Sequence, residues 1–384
     1  MKKDTPLLVG IVADDVTSAT DGAAPFLAKG HAPLIARNIG GLAQETVVSI
    51  DTGSRTSTVE VAEAATAAAV SALSGARILF KTIDSTLRGH IREEIAAAFH
   101  SSGRRRIVIG PAFPDAGRLT IAGIQTVNGV PVSRSDYSRD PVHPARTSRI
   151  ADLIDPSLGQ AVVLAQDGTD VTAPILILDA DSQEALNLQV SRIPDPETVL
   201  WVDSPGLAIA LAKLTASAHR EQLAMNKNAG RVLVVAGSAN RVVHTQCDLM
   251  QAQGVPVVAD LAEAPNDAPM TCLRALRHRQ VDPGAVLAKL VIQAADSLIR
   301  RDFDAMIATG GETMAAILES LGIHRFTLTS ELEPGFPVGR TERADGTRLT
   351  IAMKAGGFGT TATLLNAPRT LSSGIISRKA LTND

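Results

Sequence analysis

Short runs of β-branched and other apolar residues recur along this chain between alanine-rich stretches, and that rhythm constrains the fold more than any other feature. In the first half the runs are Leu7 to Val12, Thr46 to Ile50, Arg77 to Lys81, Ile107 to Ile109, Val162 to Ala165, Ile175 to Asp179 and Val199 to Val202. They are continuous rather than alternating, as strands covered on both faces are. The rhythm predicts βαβ units building a mostly parallel sheet flanked by helices. Arg220 to Arg231, which includes Met225-Asn-Lys-Asn-Ala-Gly230, loses the periodicity and reads as a linker. A second set of strands follows at Val232 to Ala236, Val255 to Ala259, Ala305 to Ala308 and Leu349 to Met353, with Val286 to Arg300 as an amphipathic helix. At 384 residues the chain exceeds what one core serves, so two α/β domains are expected, residues 1–222 and 230–384. Asp115 to Pro144, rich in Gly, Pro, Ser and Arg without either period, reads as a long lid or binding loop.

Composition narrows the class. An apolar fraction of 45% with 3% aromatic residues suits an α/β enzyme rather than a disordered or disulfide-built chain. The net charge of -3 lacks the basic stripe of a nucleic-acid binder, and Arg104-Arg105-Arg106 reads as a solvated turn. Cys247 and Cys272 have neither metal-ligand spacing nor a C-x-x-C motif, which fits a reducing cytosol. With neither a signal-peptide h-region nor an apolar run of spanning length, a cytoplasmic protein without nucleic-acid or membrane partners is expected.

Chemistry concentrates where strands end. Lys81-Thr-Ile-Asp84-Ser85-Thr86-Leu-Arg88-Gly89-His90 packs an ammonium, a carboxylate, hydroxyls and a guanidinium between a buried strand and the helix predicted from Ile91 to Phe99. In open α/β sheets ligands bind at these carboxyl ends. A helix cap would need only Ser85 or Thr86. The first strand delivers Asp14 and Asp15 into a helix, where one carboxylate is expected to cap, while paired carboxylates at a strand end can hold a metal or one can accept a proton from a substrate hydroxyl. Pro111-Ala-Phe-Pro114-Asp-Ala-Gly117-Arg118 follows a further strand and presents Arg118 for a planar anion. Asp140-Pro141-Val142-His143-Pro144 adds a turn.

The second half carries three glycine-rich turns after strands: Gly237-Ser238-Ala239-Asn240, Gly310-Gly311-Glu312-Thr313 and Lys354-Ala-Gly356-Gly357-Phe358-Gly359. Backbone N–H groups at such turns, with helix dipoles behind them, suit an anion. None matches a P-loop or a dinucleotide fingerprint.

Taken together these motifs resemble the four-carbon acid sugar kinases, in order and over nearly the whole chain, joined by Glu333-Pro334-Gly335-x-Pro337. The resemblance implies two α/β domains with the active site in the cleft between them, the first holding an acid sugar such as threonate, erythronate or a 3-oxo-tetronate and the second ATP. It implies transfer of the γ-phosphoryl group to the terminal hydroxyl, with Mg²⁺ carried mainly on the nucleotide phosphates and no dedicated protein metal site. The catalytic candidates are Asp15 and Asp84. Asp14, Lys81, Ser85, Arg88, Gly89 and Arg118 are the substrate candidates, with Arg88 and Arg118 gripping the carboxylate and Lys81 and Ser85 fixing hydroxyls. Nucleotide candidates are Ser238, Gly310, Gly311, Glu312, Thr313, Gly356, Gly357, Phe358 and Gly359. Where the family reads D-D-x-T-G-A this chain has Ser18 in place of Gly, which reshapes the pocket. A catalytically silent sugar-acid sensor and an NAD-dependent dehydrogenase are the alternatives. A homodimer, the stereoisomer used and the choice between the two aspartates stay open.

Overall fold

The computed structural model describes residues 7–42, 45–140, 143–217, 230–238, 240–275 and 282–373. The segment expected as a linker lies outside the described residues up to position 229. The chain divides into two units, Met1–His219 and Arg220–Asp384.

In the first unit the strands are β1 (Val9–Ala13), β2 (Leu34–Ala36), β3 (Val47–Asp51), β4 (Ile78–Thr82), β5 (Arg106–Gly110), β6 (Arg118–Ile121), β7 (Ile124–Val127), β8 (Val130–Pro131), β9 (Val162–Leu164), β10 (Ile175–Leu178) and β11 (Val199–Asp203). The helices are α1 (Val16–Ala23), α2 (Val59–Ala72), α3 (Ile91–Ser102), α4 (Gln183–Arg192) and α5 (Pro205–Lys213). The main sheet runs β2-β3-β1-β4-β11-β5-β10-β9, and its described ladders are all parallel. Every residue of β1, β3, β4 and β11 is buried, because helices cover both faces; α2 packs on α3, and α1 on α5. β1 lies between β3 and β4, so the chain leaves it toward one edge and resumes on its other side. Such a switch point opens a crevice at the carboxyl ends, where β1 ends in Asp14-Asp15 and β4 leads into Asp84 to Arg88.

The expected loop from Asp115 to Pro144 is instead largely folded. β6, β7 and β8 form a 3-stranded antiparallel sheet. Its hairpins turn through Ala122-Gly123 and Asn128-Gly129, all four with positive φ, which is type I′ geometry. The Asp179 carboxylate docks the first hairpin by accepting the Ala122 and Gly123 amides at 2.5 and 2.8 Å. Nor is the arginine triplet a solvated turn. Arg104 donates to the carbonyls of Ala76 and Glu197, and Arg106 to those of Val171 and Ala173.

The second unit has β12 (Val232–Ala236), β13 (Val257–Val258), β14 (Met270–Arg274), β15 (Ala305–Thr309), β16 (Arg325–Glu331), β17 (Pro337–Glu342) and β18 (Arg348–Lys354), with α6 (Arg241–Ala252), α7 (Pro283–Ile299), α8 (Gly311–Ser320) and α9 (Thr363–Ser373). Its order is β13-β14-β12-β15-β18-β17-β16, parallel except where β17 pairs antiparallel with β16 and β18. A second switch point falls between β12 and β15, whose carboxyl ends carry the first two glycine turns. Among the described residues no helix is long and apolar enough to cross a membrane.

Candidate functional site

At the carboxyl end of β1 the first unit concentrates opposite charges. Asp15 caps α1, its Oδ1 accepting the Ser18 amide at 2.7 Å. Arg55, which sequence reasoning did not single out, binds Asp14 through Nε and Nη2 at 2.7 Å each and Asp15 through Nη1 at 2.6 Å. Its Nη2 also donates to Ser18 Oγ at 2.8 Å, so the serine in the D-D-x-T motif serves as a third anchor for that guanidinium. The two carboxyls differ in acidity. Burial works to raise Asp14, but Arg55 and the Lys81 ammonium outweigh it and hold it below the usual range. Burial raises Asp15, Arg55 offsets this in part, the Asp14 charge adds to it, and the net shift is upward.

The loop after β4 is built around Asp84. Its carboxylate accepts from the Thr86 amide at 3.1 Å, from Thr86 Oγ1 at 2.7 Å and from Arg88 Nε. Burial alone would raise Asp84, yet Arg88 and Arg55 bring it down to about 2. Arg88 Nη1 reaches Asp140 at 3.0 Å, and the guanidinium lies 5.3 Å from the Tyr137 ring centroid. Among the described residues Arg88 Nη2 has no partner. Neither Ser85 nor Thr86 caps α3, whose N-cap is His90 without a side-chain bond. Gly89 has φ +102°, and a Cβ there would stand 3.3 Å from Asp14 Oδ2, so this loop lies against the β1 carboxylates where an L side chain would be strained.

Lys81 is placed differently from its expected role at a substrate hydroxyl. Its side chain is fully buried, Nζ pairing with Glu94 of α3 at 2.9 Å and donating to Thr82 O at 2.7 Å. Glu94 in turn accepts Ser54 Oγ at 2.6 Å, and Ser54 meets Thr52 Oγ1 at 2.8 Å. This buried chain ties the ends of β3 and β4 to α3. Glu94 carries a readable signal, an acid one turn into a predicted helix beside an in-strand lysine. Arg118 donates from Nη1 to Ser85 Oγ at 3.0 Å, and Gln125 Nε2 holds Ser85 O and Pro111 O at 2.8 and 2.9 Å.

In the second unit the three glycine turns converge on Ser238. A Cβ on Gly356 would stand 2.1 Å from Ser238 Oγ, and one on Gly310 would stand 3.6 Å from Ser238 Cβ. A Cβ on Gly237 would collide with Thr313 Oγ1 at 2.1 Å. The Gly310 amide donates to Lys354 O at 2.9 Å, Gly311 opens α8, and Glu312 is exposed on its first turn. Asn240 caps α6. Phe358 lies along the third turn, 3.5 Å from where a Cβ on Gly335 would be. The chemistry offered is backbone amides and helix N-termini. Among the described residues no group of three or more His, Cys, Asp or Glu side chains is placed to hold a metal ion.

Comparison with known proteins assigns the two units to two described domain families. The sugar-binding N-terminal domain matches residues 9–211 and the nucleotide-binding C-terminal domain matches residues 234–364. D-threonate kinase of Bordetella bronchiseptica is 31% identical over 407 residues, covering 94% of this chain and 97% of that protein. D-threonate kinase of Salmonella typhimurium is 26% identical, over 93% and 96% of the two chains. 3-oxo-tetronate kinase of Brucella melitensis is also 26% identical, over 94% and 95%. A solved structure from Salmonella typhimurium LT2 shares the fold with TM-score 0.79 and 21% identity, covering 94% of this chain and 98% of that one. These relatives set the dehydrogenase alternative aside, and the chain belongs to the four-carbon acid sugar kinase family.

Proposed function

We propose that the enzyme uses ATP to phosphorylate the terminal hydroxyl of a four-carbon acid sugar, with D-threonate the first candidate and 3-oxo-tetronates the next. On this reading residues 1–222 hold the acid sugar and residues 230–384 the nucleotide. The observation that carries the sugar-acid assignment is the Asp14-Asp15-Arg55 cluster lying against a loop whose Arg88 keeps Nη2 without a partner among the described residues. The substrate carboxylate is gripped by Arg88 Nη2 and by Arg118, and Ser85, held by Arg118, lines the same place. Asp15, although it also caps α1, takes the proton of the attacking hydroxyl, because burial and the neighbouring Asp14 charge raise its carboxyl and make it a stronger base than Asp14 or Asp84. Asp84, held near 2, is a weak base and instead orients Arg88. Lys81 acts through Glu94 rather than on substrate, and Gly89 keeps the loop against Asp14.

The nucleotide phosphates lie on the amides of the turns around Ser238, Gly310 to Thr313 and Gly356 to Gly359, where the missing Cβ of Gly356 lets the third turn pack against Ser238. Mg²⁺ is carried by those phosphates and supplies charge neutralisation when bound. Phosphoryl transfer asks for positioning and electrostatics more than for covalent chemistry, which suits guanidinium groups and a raised carboxyl in the first unit and backbone donors in the second.

A coupled ADP-release screen over the stereoisomers of threonate, erythronate and 3-oxo-tetronate tests the assignment. Turnover with one of these acids, and none with the matching neutral amide, is expected. Turnover on neutral sugars alone contradicts it.

A further inference from the structure

The third glycine turn rests on a buried cation. Lys354, the last residue of β18, is 2% exposed, and its Nζ donates to Ala355 O at 3.1 Å and Phe358 O at 2.7 Å. Gln246 of α6 reinforces it, with Nε2 donating to Phe358 O at 3.3 Å and Thr360 O at 2.7 Å. The carbonyls of Ala355, Phe358 and Thr360 are thus taken up by donors from beneath. Among the described residues the amides of Gly356, Gly357 and Gly359 have no partner, and Gly357 and Gly359 are exposed. Successive amides left in this way form an anion-binding concavity.

Filling space does not call for a lysine here, since an apolar side chain of similar length fills it without desolvating a charge. Among the described residues no carboxylate lies within ion-pair distance of Nζ. All of its hydrogen bonds therefore go to the turn.

We propose that Lys354 is the positioning residue of the nucleotide site, fixing the Ala355 to Thr360 turn so that its glycine amides receive a phosphate and adding its own positive charge beneath them. This rests on the nucleotide reading given above and deepens it. The groups facing the ammonium are the Cys247 thiol of α6 and the Glu333 carboxylate, which accepts Thr363 Oγ1 at 2.8 Å. Arg274 of β14 stands beside that thiol. Burial pushes Lys354 down to about 8, with Cys247 and Glu333 offsetting part of the shift. Its charge is therefore lost within an accessible pH range. A phosphate brought above it favours the charged form, so nucleotide binding draws a proton into the protein.

The test is calorimetric titration of Mg²⁺–ATP, without sugar acid, between pH 7 and 9.5. It compares the wild type, Lys354→Met and Cys247→Ser, each also titrated with D-threonate alone. ATP affinity of the wild type should fall about tenfold across the range, the equivalent of one charged hydrogen bond, with proton uptake on binding near its middle. Lys354→Met should bind ATP about tenfold more weakly at pH 7, show a flat profile and keep its D-threonate affinity. Cys247→Ser should keep the wild-type fall in affinity, with its midpoint moved to lower pH because the thiol's offset on Lys354 has gone. A flat wild-type profile overturns the inference, as does a flat Cys247→Ser profile, which makes the thiol the titrating group. Should Lys354→Met not fold, the other two profiles decide. If the wild type binds D-threonate but no ATP at any pH, the nucleotide reading itself fails and this inference with it.

Discussion

Arg55 holds Asp14 with two hydrogen bonds of 2.7 Å, and the same guanidinium reaches Asp15 at 2.6 Å. One cation shared by adjacent carboxyls lets a single proton equilibrium favour one of them. The result is an ionised Asp14 and a raised Asp15. Asp15→Asn should lower kcat by ~10²–10⁴, the usual cost of losing a general base, while ATP KM stays within about twofold. Because the base must be deprotonated, wild-type kcat should rise with pH through the Asp15 titration. In Arg55→Gln that limb should move to higher pH, since a charge that lowers Asp15 has gone. An unshifted limb in steady-state pH profiles sinks the assignment.

Arg88 is anchored to Asp84 and Asp140 and offers Nη2 onward. Arg88→Ala should weaken sugar-acid binding by roughly 10- to 150-fold, the range for a charged hydrogen bond of about 1.5–3 kcal/mol. Arg88→Lys should also be impaired, because an ammonium lacks the planar fork that serves two carboxylates and a ligand together. Comparing each enzyme on the acid and on its neutral amide decides the matter. If Arg88→Ala still prefers the acid by the wild-type margin, Arg118 becomes the clamp.

Gly356→Ala would bring a methyl to within 2.1 Å of Ser238 Oγ, forcing the first and third turns apart. ATP KM should rise by about tenfold or more, on the scale of one lost charged contact, while D-threonate affinity measured without nucleotide stays put. Equal weakening of both ligands would show that the turn is structural only.

Asp203 ends the central strand β11 fully buried, and among the described residues neither carboxyl oxygen has a hydrogen-bond partner. Burial pushes its pKa well above the ordinary carboxylate range, with only the Lys81 charge opposing. A raised acid binds its proton more tightly in the folded state, so its contribution is fully present below the unfolded pKa and is lost as pH rises. Asp203→Asn should therefore be more stable than the wild type at pH 8, by about 1–3 kcal/mol, with the gap closing toward pH 4. Thermal unfolding at several pH values checks this, and a gap that widens on acidification contradicts it.

Much of the fold was legible because strands buried on both faces leave continuous apolar runs. Val232 to Ala236 coincides with β12, and the other forecast strands lie within two residues of those observed. β16 escaped because Arg325-Phe-Thr-Leu-Thr-Ser-Glu331 buries only Phe326 and Leu328, an alternation masked by its polar partners. The β6 to β8 sheet escaped because its strands are four residues or shorter, although Asn128-Gly129 is a hairpin signal. At the site, the polar motifs marked the strand ends, but their pairings were not legible. Lys81 lies within an apolar run, and only the fold shows that its ammonium meets Glu94 inside the protein. Arg55 follows Asp14 by 41 positions and belongs to no motif, so its role emerges only when β1 and β3 lie side by side.

The proposed reaction transfers a phosphoryl group from ATP to the terminal hydroxyl of a four-carbon acid sugar. ³¹P NMR of the product formed from ATP and the accepted acid reads this directly. A phosphate on the terminal carbon couples to two equivalent or nearly equivalent methylene protons and should appear as a triplet. A doublet, which marks esterification at C2 or C3, or phosphate released without any ester would contradict the account.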